Sequence, residues 1–274
     1  MIKKLIMVVL LLAIGLGIFI FFKQPTETIT IGTYDAVPTI EANLQMMTIE
    51  VSSSPDDKIH VVVEGKKGVE EQFSIDHDET KLLVKENNEK QWNDFITIGS
   101  QPKIIMQIPT ALENSVSISN KDGDSYLKGL DVKTVQVKSS TGRVTLRDIN
   151  ASTSELNSTD GNVTVHNSEI ENGSISTTSG NVNVRESKGT TLAAQSVDGQ
   201  IKLTEATEQS DVRLKSKTGD IQVIYKTAPS SLKLSTSGEI VKVELPSFDQ
   251  KTGIIGKGTN ILSIETKDGM IQVK

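Results

Sequence analysis

Apolar and polar residues alternate at a spacing of two through most of this chain, and from about Ser119 to Val273 the alternation is itself periodic. A Ser/Thr-x-x-Gly-x-Val/Ile-x-Val/Leu phrase returns as Ser139–Leu146, Ser158–Val165, Thr177–Val184, Ser196–Leu203, Ser216–Val223 and Thr266–Val273, with weaker copies around Gly123 and Gly238. Its glycines are Gly123, Gly142, Gly161, Gly180, Gly199, Gly219, Gly238 and Gly269, and the step between the first seven is 19 or 20 residues. A fixed period of that size marks a stack of small units in which each contacts only its neighbours.

Within a unit, apolar residues stand two and four places after the glycine (Val163 and Val165, Val182 and Val184). They also stand five and seven places before it (Val137 and Val135, Leu214 and Val212). Spacing of two is one face of a β-strand, so each unit is two short strands joined at a glycine corner. The glycines are expected to serve as turn residues that reach positive φ without a Cβ penalty. Three places before the glycine stands Ser or Thr (Ser139, Ser158, Thr177, Ser196, Ser216, Ser235, Thr266). An unpaired buried hydroxyl costs a few kcal/mol, so these are expected to form a hydrogen-bonded row. A parallel β-solenoid of roughly 19-residue coils fits better than an antiparallel meander, because a meander needs alternation but not identity at each position. No proline falls between Pro109 and Pro229, where ladders would have to be continuous.

Ahead of the repeat, strands are expected at Met47–Val51, Ile59–Glu64, Phe73–Ile75, Lys81–Lys85 and Lys103–Pro109, separated by polar turns. The organisation expected is a signal-anchor in 1–23, a tether in 24–38, irregular β coils or a cap in 39–112 and the regular solenoid in 113–274. Between Gly238 and Gly269 the period is interrupted, and Pro246–Gly253 is expected to project as a loop. Leu234 and Val243, each one place off register, suggest a bulge. The chain ends just after Val273, which would leave the last sheet edge bare.

Leu5–Phe22 is an uninterrupted apolar run between Lys4 and Lys23. Eighteen residues of helix span about 27 Å, close to the thickness of a bilayer core. A cleaved secretory signal begins the same way but closes on small residues; this run closes Phe19-Ile20-Phe21-Phe22. An uncleaved transmembrane helix is expected, its N-terminus cytoplasmic by the preceding lysines and residues 24–274 extracytoplasmic. With no cysteine, neither a lipoprotein anchor nor a disulfide scaffold is available. The net charge is −6 overall, and without Lys3, Lys4 and Lys23 it is −9, the wrong sign for nucleic acid. The partners expected are the membrane, through 5–22, and an envelope protein or glycan.

The strand ending Ile108-Pro109, the following Ser115-Val116-Ser117-Ile118-Ser119 and the reiterated Ser-x-x-Gly-x-Val-x-Val resemble a bacterial adhesin-like domain of unknown function over 39–274. Ile59–Glu64 suits the opening of that domain. With its N-terminal anchor the chain looks like the LiaG-like members associated with envelope stress systems of Gram-positive bacteria. The resemblance implies a single-stranded β-helix outside the membrane and brings no catalytic residue with it.

Chemistry in the sequence is sparse. There are three histidines, His60, His77 and His166; His166 follows an inward Val165 and should face solvent. Asp76-His77-Asp78-Glu79 reads as a charged turn. Asn120-Lys121-Asp122-Gly123-Asp124-Ser125 lacks the distant glutamate of an EF-hand. Ser230-Ser231-Leu232-Lys233 fits Ser-x-x-Lys, a common chance match in a chain rich in serine and lysine. The enzymatic alternative is a polysaccharide lyase or hydrolase, which needs carboxylates at set separations. The outward acids Asp198, Glu205, Asp211, Asp220 and Glu239 are scattered along the repeat. The expectation is a non-enzymatic envelope protein with no cofactor, no metal and no catalytic residue.

Overall fold

The computed structural model describes residues 26–87, 101–109 and 114–274. The anchor expected in 1–23 lies outside the described residues, among which no helix is long and apolar enough to cross a membrane. In chain order the first strands are β1 (Glu27–Asp35), β2 (Thr39–Leu44), β3 (Thr48–Ser53), β4 (Lys58–Gly65), β5 (Phe73–His77), β6 (Lys81–Glu86) and β7 (Lys103–Ile108). The repeat supplies β8 (Ser115–Asn120), β9 (Ser125–Lys128), β10 (Asp131–Ser139), β11 (Val144–Arg147), β12 (Asn150–Ser158), β13 (Val163–His166), β14 (Glu169–Thr177) and β15 (Val182–Arg185). It continues with β16 (Thr191–Ser196), β17 (Ile201–Ala206), β18 (Asp211–Ser216), β19 (Ile221–Tyr225), β20 (Leu232–Ser237), β21 (Ile240–Val243), β22 (Asn260–Thr266) and β23 (Met270–Val273).

These strands form two facing sheets, one of 12 strands and one of 11. The strands after each glycine (β9 to β19, odd numbers) stack in the first sheet, and those before it (β8 to β18, even numbers) stack in the second. All pairs along the repeat are parallel and, apart from one shift between Leu203 and Ala206 where β17 meets β19, in register: Val144 lies beside Val163, Val163 beside Val182, and Val182 beside Ile201. The inward residues of both sheets, such as Val137, Leu156, Val163, Val182, Leu214 and Ile221, are almost fully buried and make one continuous core. Like side chains stacked on like give most rungs similar apolar contacts, which is why the period survives in the sequence. The repeat is the parallel solenoid expected.

Both ends depart from sequence order. The rung β22/β23 does not follow β20/β21; it lies between them and β18/β19 in both sheets. The edge expected to be bare after Val273 is therefore interior, and β20 and β21 are the terminal strands. At the other end β2/β3 pairs directly with β8/β9, and β6/β7 lies outside it. Beyond these come β4 and β1 in the first sheet and β5 in the second, all paired antiparallel. Part of the stretch expected as a tether is β1, the edge strand of the first sheet.

The insertion after Val243 does not project. Its backbone pairs antiparallel with β20: the Leu234 N–H donates to the Gly253 carbonyl and the Ile255 N–H to that of Leu232, both at 2.8 Å. Leu245 and Ile255 are buried, and Phe248 packs against the core. The expected bulge is also absent. Ser237 lies beside Glu265, an offset of 28, whereas Ile240 lies beside Met270, an offset of 30. The Gly238 corner is thus two residues shorter than its neighbour, which drops Gly238 out of the glycine column.

Candidate interaction surfaces

None of the eight repeat glycines has the positive φ expected for it; among described glycines that conformation is confined to Gly68, Gly129, Gly253, Gly256 and Gly258. The corner requires glycine for a different reason. A Cβ on Gly142, Gly161, Gly180, Gly199 or Gly219 would stand closer than 3.0 Å to the backbone carbonyl of the glycine one rung below, and Gly269 meets Gly219 in the same way. Rungs separated by one strand spacing leave no room for a side chain at that level. Gly238 alone meets side chains instead, Ile271 and Thr266.

The hydroxyls three places earlier tie this column together. Ser196 Oγ accepts the Gly199 N–H (2.8 Å) and donates to the Gly180 carbonyl (3.2 Å). Ser216 repeats the pattern with Gly219 and Gly199, and Thr266 donates to Gly219. Ser158, with a buried Oγ that meets no partner, and Ser235, exposed beside the displaced Gly238, are the exceptions. A buried hydrogen bond contributes about 1 kcal/mol, and stripping one partner from a buried donor costs about 1–3 kcal/mol. Ser196→Ala should therefore lower stability by about 2 kcal/mol in urea unfolding, while Ser158→Ala should leave it unchanged or raise it.

Polar side chains one place after the glycine form a second ladder. Asp124 Oδ1 accepts the Arg143 N–H (2.7 Å), Asn162 Oδ1 that of Asn181, Asn181 Oδ1 that of Gln200, and Asp220 Oδ1 that of Met270 (2.8 Å). The acids that suggested chemistry are consequently committed to the scaffold. Asp122 accepts the Thr141 hydroxyl and Asp124 that of Tyr126. Asp78 accepts the backbone N–H groups of Thr80 and Lys81 and the Thr80 hydroxyl, closing its own turn. Ser230 donates to Glu208, and Ser231 Oγ accepts from Thr259.

The structure does not bring the outward acids together. Asp198 accepts the Thr218 hydroxyl, Asp211 pairs with Arg213, Asp220 serves the ladder, and Glu205 holds the opposite corner of its rung. His166 Nε2 faces Glu186 at 2.9 Å, His60 meets Asp56 and Thr33, and His77 lies against Tyr34 and the Asp35 carbonyl. Among the described residues no three His, Asp or Glu converge as a metal site.

A family model, Toastrack DUF4097, matches residues 37–274. The chain belongs to the Toastrack family. Solved structures share the Toastrack fold at low identity. A candidate lipid-binding protein from Parabacteroides distasonis is 14% identical with a TM-score of 0.59, over 92% of this chain and 98% of its own. A candidate adhesin from Bacteroides fragilis is 16% identical with a TM-score of 0.57, over 92% and 98%. Another from Parabacteroides merdae is 15% identical with a TM-score of 0.52, over 91% and 95%. No functionally curated protein matches the sequence.

Three features of this Toastrack chain are not evident from its sequence pattern. The corner opposite the glycines uses a left-handed residue in successive rungs: Gly129, Asp148, Asn167, Glu186 and Glu205, with φ between 48° and 63°. Asp148 and Asn167 are residues that tolerate this conformation, and the signal was their recurrence six places after each glycine. A shallow groove of about 420 Å³ runs along the glycine corner between Thr178, Gln195, Lys215, Lys217 and Lys267. Mid-stack, Ser154 and Gly173 stand where the next rungs carry Val135 and Leu192. They leave a space of about 20 Å³ lined also by Leu156 and Ile175, the size of one water.

Glu208 fastens the crossover to the terminal rung. It accepts the N–H groups of Ser230 and Ser231 (both 2.9 Å) and the Ser230 hydroxyl (3.0 Å). Burial opposes its ionisation, but these donors and the Asn260 side chain outweigh it and hold the carboxyl below its ordinary range. A depressed folded pKa stabilises above the unfolded value, near 4.3, and that stability is lost as pH falls through the folded value. Glu208→Gln should accordingly lose stability at pH 7 and show a shallower fall in melting temperature below pH 4 than the parent.

Proposed function

We propose that this Toastrack chain is a non-enzymatic structural or interaction element of the bacterial envelope. It would be held at the membrane by residues 5–22 and displayed on the extracytoplasmic side. The observation that carries the reading is the commitment of many of its polar groups to the scaffold: Ser196, Ser216, Asp124, Asn162, Asn181 and Asp220 each hydrogen-bond a neighbouring rung. What remains outward is the solvent face of each of the two long sheets, available for contact with another macromolecule. The length of the apolar run supports the anchor, and Lys3 and Lys4 ahead of it support a cytoplasmic N-terminus. Resemblance to LiaG-like proteins supports a role in the envelope stress response, and resemblance to the adhesin-like domain supports adhesion as the alternative role.

Two measurements test this reading. Protease added to intact cells should degrade residues 24–274 while the membrane keeps the N-terminal stub; protection of the whole chain would contradict the topology. The purified protein should release no reducing ends from cell-wall polymers, and sustained release would establish the glycan-cleaving alternative.

A further inference from the structure

The two ends of the rod are stepped in opposite senses. At the β20/β21 end the second sheet is extended by the antiparallel segment around Gly253–Ile255, while the first sheet stops at β21 with no strand beyond it among the described residues. At the β1 end the first sheet extends two strands past β7, as β4 and β1, and the second only one past β6, as β5. One end therefore lacks a strand in the first sheet, and the other end carries one extra strand in that sheet.

Polarity and surface chemistry agree with this match in shape. β4 is antiparallel to both β7 and β1, and the remaining pairs of the first sheet are parallel. β1 consequently runs in the same direction as β21, so a copy moved along the rod axis would set its β1 beside β21 in the parallel sense used throughout the repeat. The exposed β21 edge is apolar. Ile240 is 61% exposed, Val241 42% and Met270, beside Ile240, 38%. Edge strands are ordinarily protected by charge, proline or cover, and within β21 only Lys242 is charged. In the second sheet the covering segment and its neighbour β20 present exposed Lys233, Lys251 and Lys257. The side of the other end that would face them presents exposed Glu70, Glu71, Asp76 and Glu79.

We propose that copies of this chain join head to tail, the β1 edge of one copy completing the first sheet of the next beside β21. Such a contact uses two different surfaces and does not close on itself, so it propagates into a filament. This goes beyond the envelope role and does not depend on the anchor.

The chain has no cysteine, which permits a direct test. Thr30 and Ile240 stand at opposite edges of the 12-stranded sheet, roughly 50 Å apart at one strand spacing per step, too far for a disulfide within one copy. Purified full-length Thr30→Cys/Ile240→Cys protein in mild detergent, oxidised with copper phenanthroline, should give a ladder of dimers, trimers and longer species on a non-reducing gel. Either single variant should remain essentially monomeric. Adding Val241→Lys, or Lys251→Glu with Lys257→Glu, should reduce the ladder at least fivefold in protein whose melting temperature is within a few degrees of the parent. A double-cysteine protein that stays monomeric would overturn the proposal. So would equal dimerisation by Ile240→Cys alone, which would mean tip-to-tip contact, or a ladder indifferent to both sets of added changes.

Discussion

A chain ending at Thr259 is expected to lose its cooperative fold. In a stack built in sequence order, deletion of residues 260–274 would remove a terminal rung and leave the rest paired. Here β22 is flanked by β18 and β20, and β23 by β19 and β21. The deletion therefore opens a gap inside both sheets. Leu262, Ile264, Ile271 and Val273 are each at most 1% exposed. Burying such a side chain contributes about 1.5–3 kcal/mol, so their loss together approaches the roughly 5–15 kcal/mol that holds a typical domain. The β20/β21 rung cannot close the gap without change, because its corner is two residues short of its neighbour's. The expected result is aggregation, or a soluble protein in which 226–259 is rapidly cut by protease. A truncated protein that melts within a few degrees of the full chain, with 232–244 still protected, would contradict this rung order.

Gly180→Ala should be nearly as damaging although it adds one methyl group. The new Cβ would collide with the Gly161 carbonyl, and both atoms belong to backbone fixed in parallel ladders on either side of the corner. No rotamer change relieves such a contact. Overpacking of a side-chain core usually costs about 1–3 kcal/mol, and a backbone clash should exceed that range, lowering the urea midpoint steeply. Gly173→Ala is the matched control. Its Cβ would first meet the Leu192 Cδ1 at 3.3 Å, beside the small mid-stack space. That change should be neutral or stabilise by up to about 1 kcal/mol, since alanine also narrows the unfolded ensemble. Equal effects at the two glycines would show that the column is not set by close approach.

The repeat was legible because its physics is local and reiterated. Val163, Val182 and Ile201 occupy the same place relative to their glycines, and each lies over the next. The early strands were legible from alternation alone; Ile59–Glu64 falls within β4 and Lys81–Lys85 within β6. Rung order was not legible, because β22 and β18 carry the same pattern as any neighbours would, and periodicity does not say which copies touch. The reason for the glycines was hidden in a similar way. A sequence shows that glycine recurs but not whether backbone conformation or an approaching carbonyl demands it. Glu208 and the left-handed corner at Glu186 and Glu205 lie outside the repeating phrase. Each acts through a corner or crossover whose path is set only when distant rungs are in place. The candidate surfaces were the least legible part, since an open edge such as β21 exists only once strand order is known.

Rung order is the point on which the glycine column, the core and the stepped ends all depend, and a pair of disulfide variants measures it directly. Gln222 and Gln272 are register partners in adjacent rungs, with their side chains hydrogen-bonded at 2.8 Å. Lys242 lies one rung further out, beside Gln272. Under mild oxidation Gln222→Cys/Gln272→Cys should form an intramolecular disulfide, seen as a loss of two hydrogens by intact mass, and Gln222→Cys/Lys242→Cys should not. The opposite outcome, a bond from position 222 to 242 and none to 272, would show rungs stacked in simple sequence order and would contradict the architecture described.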